Sequence, residues 1–150
     1  MHRTLIVLVT AILISLAAPG SAQDFNFCAR ANLPGGGQEG IVIGIRAGSL
    51  GNDIVTFSGD GFNRTFGQPV TVWGACSGGQ CSIGMKGTPV DGFPFVRESG
   101  GSFPLAGPFG GNLQVFEFLP GSGQTGSIRQ FVTPFTLSAI QDTSAFATCP

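Results

Sequence analysis

Few side chains in this sequence are suited to catalysis. The only histidine is His2, so a serine or cysteine nucleophile elsewhere would lack its usual imidazole base. The only lysine is Lys86, and no Ser-x-x-Lys pattern precedes it. Hydrolase and protease chemistry of these types is therefore disfavoured, and we expect a non-catalytic domain that needs no cofactor.

Carboxylates are the remaining groups with catalytic potential. Glycosidases place two acids beside the scissile bond and add aromatic platforms for the sugar. Glu117 stands out because it alternates within an apolar strand, although we predict that it pairs with Arg129 or Arg97 across the sheet. Trp73 is the only tryptophan and tyrosine is absent, which makes a poor glycan cleft. The acidic residues are Asp24, Glu39, Asp53, Asp60, Asp91, Glu98, Glu117 and Asp142.

Two short motifs leave their interpretation open. The stretches around Asp53 and Asp60 resemble fragments of the Gly-Asn-Asp repeats of calcium-binding β-rolls, but the nonapeptide period is not sustained. These aspartates are otherwise ordinary turn residues. Asn63-Arg64-Thr65 is a glycosylation sequon, which is used only in a eukaryotic secretory pathway. We predict no metal site, and calcium binding and glycosylation stay open.

The N-terminus has the order of a secretory signal. A basic start at Arg3 is followed by an almost wholly apolar run over residues 5–16, and Gly20 and Ala22 place small residues before a cut at Gln23. The run is shorter than the roughly 20 residues that cross a bilayer. We predict a cleaved signal peptide (1–22) and one secreted or periplasmic domain (23–150), with no transmembrane segment in the mature chain.

The four cysteines form an even set in this exported chain. We predict two disulfides. Cys76–Cys81 is favoured because Ser-Gly-Gly-Gln between them is typical of a turn joining two strands, and Cys28–Cys149 would tie the ends of the mature chain together. Structural zinc sites need tightly spaced Cys and His ligands, which are lacking here.

Apolar residues alternate with period two through most of the mature sequence, which predicts short half-buried strands. Gly-rich signals separate these runs at intervals of roughly 8–15 residues, typical of antiparallel all-β domains. We therefore predict a β-sandwich, Ig-like or jelly-roll-like, or a small barrel, stapled by two disulfides. The predicted strands contain residues 41–46, 55–58, 70–73, 113–119 and 128–139, and the predicted turns include residues 34–37, 59–61, 77–79, 99–101 and 110–112.

A segment rich in phenylalanine and proline interrupts this pattern at residues 89–111. Its four prolines disfavour a central strand, so we expect an edge strand plus a long loop. Its rings either pack onto the core or form an exposed binding surface. The candidate contact residues are Trp73, Phe93, Phe95, Phe103 and Phe109.

The hairpin around the close cysteines carries a local resemblance. Trp73-Gly74, Cys76, Cys81 and Ile83-Gly84 are similar to the short disulfide hairpin of the neocarzinostatin-type apoproteins. Those are secreted Ig-like sandwiches that bind apolar chromophores. The likeness spans residues 73–84 of 150, the second disulfide has no counterpart, and no binding residue is carried over.

The sequence excludes some partners and leaves others open. The chain has 7 basic and 8 acidic residues and no basic run, so we do not expect nucleic acid or an anionic membrane as partner. We expect a non-catalytic binding or surface-component domain for an unknown protein, glycan or apolar ligand. The alternatives are a carrier of an apolar small molecule between the sheets and a carboxylate-dependent carbohydrate-active enzyme.

Overall fold

The computed structural model describes residues 23–51, 53–92, 94–120, 126–140 and 149. The predicted signal peptide, residues 1–22, lies outside this range, as do Asn52 and the candidate contact residue Phe93. Within the described residues, no helix is long and apolar enough to cross a membrane.

Eight antiparallel strands form one closed barrel. Each strand pairs with the next along the chain, and β8 pairs back onto β1 through residues such as Ala29 and Leu137. The strands are β1 (Gln23–Asn32), β2 (Gln38–Gly51), β3 (Ile54–Asn63), β4 (Gln68–Ser77), β5 (Gln80–Gly87), β6 (Val96–Pro104), β7 (Gly110–Leu119) and β8 (Ser127–Ala139).

The all-β prediction and its small-barrel alternative are confirmed, whereas the sandwich alternative is not. All eight strands belong to one continuous ladder rather than to two facing sheets. Alternation of apolar residues with period two shows that each strand has a buried and an exposed face. Strands of sandwiches and of barrels share that property, so the alternation does not distinguish the two folds. The disulfide hairpin that resembles one in Ig-like sandwiches is here formed by β4 and β5 of the closed barrel.

Three predicted turns lie within or at the start of strands instead. Residues 59–61 belong to β3, residues 99–101 to β6, and residues 110–112 begin β7. A Cβ atom on Gly101 would lie 2.4 Å from the Asn112 carbonyl oxygen, and one on Gly111 would lie 2.1 Å from that of Ser102. These glycines therefore permit close approach of neighbouring strands, which is a role that glycine has within strands as well as in turns.

Two other glycine-rich stretches, residues 34–37 and 77–79, form turns as predicted. Gly36 and Gly37 have φ values of 90° and 84° between β1 and β2, and Gly78 and Gly79 have 57° and 79° between β4 and β5. Backbone in this left-handed region favours glycine because a Cβ atom would clash there.

The prediction of an edge strand in the phenylalanine- and proline-rich segment is wrong. A strand forms there, β6, but it pairs on both sides, with β5 and β7, because ring closure leaves no edge. The prolines avoid its interior: Pro89 and Pro94 precede it, Pro104 is its last residue, and Pro108 follows in the loop to β7.

Both predicted disulfides are confirmed. Cys76 and Cys81 are direct partners on β4 and β5, and their side chains face the barrel interior. Cys28, on β1, joins Cys149 near the C-terminus. The Arg64 guanidinium donates a hydrogen bond of 2.7 Å to the Cys149 carbonyl oxygen, which further holds this part of the chain against the barrel.

Candidate functional site

The barrel interior has two chemically different ends, separated by a packed layer. Ile43, Val72, Met85 and Val115 point inward and are at most 2% exposed. On one side of this layer the interior contains only apolar side chains, and on the other it contains buried charges. We call these the apolar end and the polar end.

The apolar end contains a cavity of about 70 Å³, or about 640 Å³ when the space at its open mouth is included. The smaller figure is several times the 10–15 Å³ that a single water molecule needs. The cavity lining consists of Phe25, Phe27, Ile43, Ile45, Ala47, Val55, Phe57, Cys76, Cys81, Ile83, Phe103, Leu105, Phe109 and Leu137.

Aromatic rings form much of the cavity wall. Phe103 packs edge-on against Phe109 at a centroid distance of 6.2 Å and against Phe135 at 6.1 Å. On the opposite wall, the Phe57 ring lies so close over Gly74 that a Cβ atom there would be 2.2 Å from its Cζ. Strand parity explains the arrangement, since side chains two residues apart share the inward face.

A loop over residues 105–109 covers part of the mouth. Its ends supply two lining side chains, Leu105 and Phe109. The Leu105 amide donates to the Gly79 carbonyl oxygen at 2.9 Å, and the Leu137 amide donates to that of Phe109 at 2.8 Å. The loop is therefore fastened to the β4–β5 turn on one side and to β8 on the other.

The apolar end of the barrel has little positive charge. Of the basic residues that the structure describes, Arg46 lies there near the end of β2, and Arg30 on β1 reaches the end of β8, with Nη1 3.4 Å from Ser138 Oγ. The Arg46 guanidinium Nε is 3.0 Å from Asp24 Oδ1, and both side chains are exposed. The side-chain hydrogen bond with Asp24, together with the attraction of its charge, raises the pKa of Arg46. Arg46 is thus already paired on the outer surface.

The polar end contains a buried ionic network around Arg97, which is 6% exposed. The Arg97 guanidinium contacts the Glu39 carboxylate through a short hydrogen bond, and its Nε lies 3.6 Å from Glu117 Oε1. Its Cζ also stands 5.5 Å from the Phe66 ring centroid and 5.7 Å from that of Phe131, within cation–π range.

Three further polar side chains are buried at this end, and one of them bonds to the ionic network. The Asn63 amide donates to Glu39 Oε2 at 2.9 Å, and Gln68 donates to the Phe95 carbonyl oxygen at 2.9 Å. Thr133 donates to the Asn32 carbonyl oxygen at 2.7 Å. We define the buried polar cluster as Glu39, Asn63, Gln68, Arg97, Glu117 and Thr133.

The predicted pairing of Glu117 with arginine is confirmed for both candidates. Arg129 donates from Nη2 at 2.5 Å and from Nε at 2.8 Å, while Arg97 approaches from inside the barrel. Glu117 and Glu39 are both engaged by arginines. Trp73 lies on the outer face of β4, so the structure does not place it beside these carboxylates as a sugar platform.

The candidate contact residues occupy different places. Phe103 is buried and Phe109 is half-buried, and both line the cavity. Phe95 is half-buried before β6, on the side of the polar cluster. Trp73 is 47% exposed and covers Gly84 on the outer surface. The structure thus brings Phe103 and Phe109 together, inside the barrel, and separates them from Trp73.

The structure also places the glycosylation sequon and the two aspartates of the calcium-like motifs. Asn63 is buried, and its side-chain oxygen accepts hydrogen bonds from the backbone amides of Thr65 and Phe66. Asp53 adopts a positive φ of 59° in the β2–β3 turn, and Asp60 lies within β3. Among the described residues, no three His, Cys, Asp or Glu side chains are grouped as metal ligands.

Sequence reasoning missed several lining residues, including Phe25, Phe27 and Leu105. The first two alternate with Asn26 in β1 and could have been found by the same period that revealed the other strands. Leu105 lies in an irregular loop and carries no such signal. Neither a protein-family model nor a curated protein matches the sequence.

Proposed function

We propose that this protein binds an apolar small molecule inside its barrel and carries it, without catalysing a reaction. The observation that supports this most directly is the cavity lined by fourteen apolar side chains at one end of the barrel. Small eight-stranded barrels have interiors wide enough to be filled by side chains or to hold one small ligand. This is the carrier alternative, with the ligand within one barrel rather than between two sheets.

The chemistry of the lining supports binding over catalysis. None of the lining side chains has an amide, a hydroxyl or an ionisable group, since both cysteines are in a disulfide. Such a wall cannot transfer a proton or stabilise a developing charge. It can bind through dispersion and through burial of apolar surface, at about 25 cal/mol per Å² removed from water.

We also infer that the protein acts after export, in a secreted or periplasmic compartment. Two disulfides support this inference, because such bonds persist in oxidising environments and are rare in the cytosol. A carrier of a poorly water-soluble molecule fits this location, since it would take the ligand across an aqueous space.

A cavity-filling variant tests the proposed function. Ala47 lines the cavity and is 4% exposed, so Ala47→Phe adds a ring within the space that the ligand would use. Ser58→Phe, on the outer face of β3, adds the same ring without touching the cavity. Binding of neutral apolar molecules such as toluene is followed through the NMR signals of the Ile43, Ile45 and Leu137 methyl groups.

We expect saturable shifts in the wild type and in Ser58→Phe, and at least tenfold weaker binding in Ala47→Phe. Circular dichroism verifies that each variant is folded. If no neutral molecule perturbs the lining methyl groups of the folded wild type, the proposal fails. It also fails if Ala47→Phe folds and binds as tightly as the wild type, because binding would then lie elsewhere.

A further inference from the structure

We propose that the ligand is compact and uncharged, about the size of a single ring, and is not a long-chain acid. This inference rests on the proposed function and specifies the class of molecule that the cavity takes. Three features carry it: the volume of the cavity, its blind inner end, and the placement of positive charge in the barrel.

The volume limits the ligand to a small molecule. A cavity of about 150 Å³ lined by Leu, Ile and Phe binds benzene in another protein. Here the enclosed space is about 70 Å³, so a single ring would fill it and reach into the mouth. A larger molecule would have to extend past Leu105 and Phe109, where the loop of residues 105–109 is fastened by its hydrogen bonds.

The inner end of the cavity is blind. Val72 and Val115 have no exposed surface, and Met85 beside them is 2% exposed. Beyond this layer lies the buried polar cluster, where Arg97 is already engaged by Glu39 and Glu117. A long hydrocarbon chain therefore has no continuation into the second half of the barrel, in contrast to a barrel that is apolar throughout.

The distribution of charge disfavours a carboxylate on the ligand. An ionised carboxylate moved into apolar surroundings without a partner loses its hydration and gains nothing in return. The lining offers no hydrogen-bond donor side chain. Arg46, near the end of β2, is paired with Asp24 on the outer face, and Arg30, on the outer face of β1, is hydrogen-bonded to Ser138. Asp53, in the neighbouring β2–β3 turn, adds negative charge close to this end.

Three ligands of matched chemistry test the inference: toluene, benzoate and dodecanoate at neutral pH, titrated into the disulfide-bonded protein. Methyl NMR of the lining residues Ile43, Ile45 and Leu137 reports occupancy. A gain-of-function variant, Val55→Arg, places a cation on the cavity wall, and Thr56→Arg places it on the other face of β3 as the control.

We expect toluene to bind in a saturable manner, benzoate to bind at least tenfold more weakly, and dodecanoate to give no saturable shift. In Val55→Arg, but not in Thr56→Arg, benzoate binding should strengthen at least tenfold relative to toluene. Binding of benzoate or dodecanoate to the wild type as tightly as toluene would overturn the inference while leaving the proposed function intact. Failure of every neutral molecule to bind would instead end the proposed function itself.

Discussion

Removing the buried cation Arg97 should destabilise the barrel far more than removing an exposed one. Arg97 and Glu39 are 6% and 2% exposed, and Arg97 joins β6 to both β2 and β7. In Arg97→Met the Glu39 carboxylate would keep, among the described residues, only the Asn63 amide as partner. Glu117 would still be paired with Arg129, which is 58% exposed. The main cost therefore arises at Glu39.

The size of the effect follows from the cost of an uncompensated buried charge. Breaking a buried ion pair by removing one partner costs about 3–5 kcal/mol. A loss of about 4 kcal/mol lowers the folding equilibrium constant by a factor of roughly one thousand. Small domains have total stabilities of about 5–15 kcal/mol, so the variant should fold but unfold at clearly lower urea concentration.

The matched control is Lys86→Met. Lys86 Nζ lies 2.9 Å from Glu98 Oε1, but the side chains are 54% and 44% exposed. Exposed pairs of this kind contribute about 0–1 kcal/mol. Urea unfolding followed by far-ultraviolet circular dichroism, with both disulfides intact, gives the free energy of unfolding for each variant.

A second variant separates the pairing from simple loss of packing. Arg97 Nε and Nη2 have no hydrogen-bond partner among the described residues, so the network is incompletely satisfied. Replacing Glu39, Arg97 and Glu117 together by Leu, Met and Leu removes every buried charge of the network at once. Such apolar replacements are often neutral or stabilising. The triple variant should therefore be more stable than Arg97→Met. Stability of Arg97→Met within about 1 kcal/mol of the wild type, or a triple variant less stable than the single one, would refute this reasoning.

Three further predictions concern cross-links and packing. Cys149→Ser should destabilise the protein more than Cys81→Ser, because the two disulfides close loops of 121 and 5 residues. Chain entropy then gives losses of about 5 and about 2 kcal/mol. Urea unfolding measures both losses, and a larger loss in Cys81→Ser would contradict the prediction. Phe103→Ala should cost about 3–5 kcal/mol, since the ring is 8% exposed, whereas Trp73→Ala on the outer face should cost about 1 kcal/mol or less; equal losses would show that Phe103 is not part of the core. Gly101→Ala should lower the melting temperature markedly, because its new Cβ atom would lie 2.4 Å from a backbone oxygen of β7. Calorimetry measures the melting temperature, and an unchanged value would show that β6 and β7 accommodate the added methyl group.

The sequence predicts the strands well because burial repeats along them with a period of two. Ile41, Ile43 and Ile45 are the clearest case, and all three point into the barrel. The same parity places Glu39 on that inward face, which the apolar pattern alone does not reveal. Likewise, Arg97 shares the inward face of β6 with Phe103. Extending the parity of a strand to its charged residues would therefore have pointed to part of the polar cluster.

Other features depend on information that no single segment carries. The pairing of Glu39 with Arg97 joins residues 58 positions apart on strands that are not neighbours, and it requires the barrel to close. The glycines at 101 and 111 look like turn residues locally, but the positions of neighbouring strands determine their use. The closure of β8 onto β1 has the same origin, because it depends on the twist and stagger of the whole sheet.

The polar cluster has a consequence for binding as well as for stability. Apolar side chains in place of Glu39 and Arg97 would stabilise that end at least as well, since a buried ion pair is weak evidence for stability. Apolar side chains in place of the whole cluster would make the interior apolar from end to end, and an apolar molecule could then lodge in either half. With charges at one end and aromatic rings at the other, the free energy gained by burying an apolar ligand is available only beside Phe103 and Phe109. On the proposed function, the cluster therefore confines an apolar ligand to the end of the barrel that Phe103 and Phe109 line.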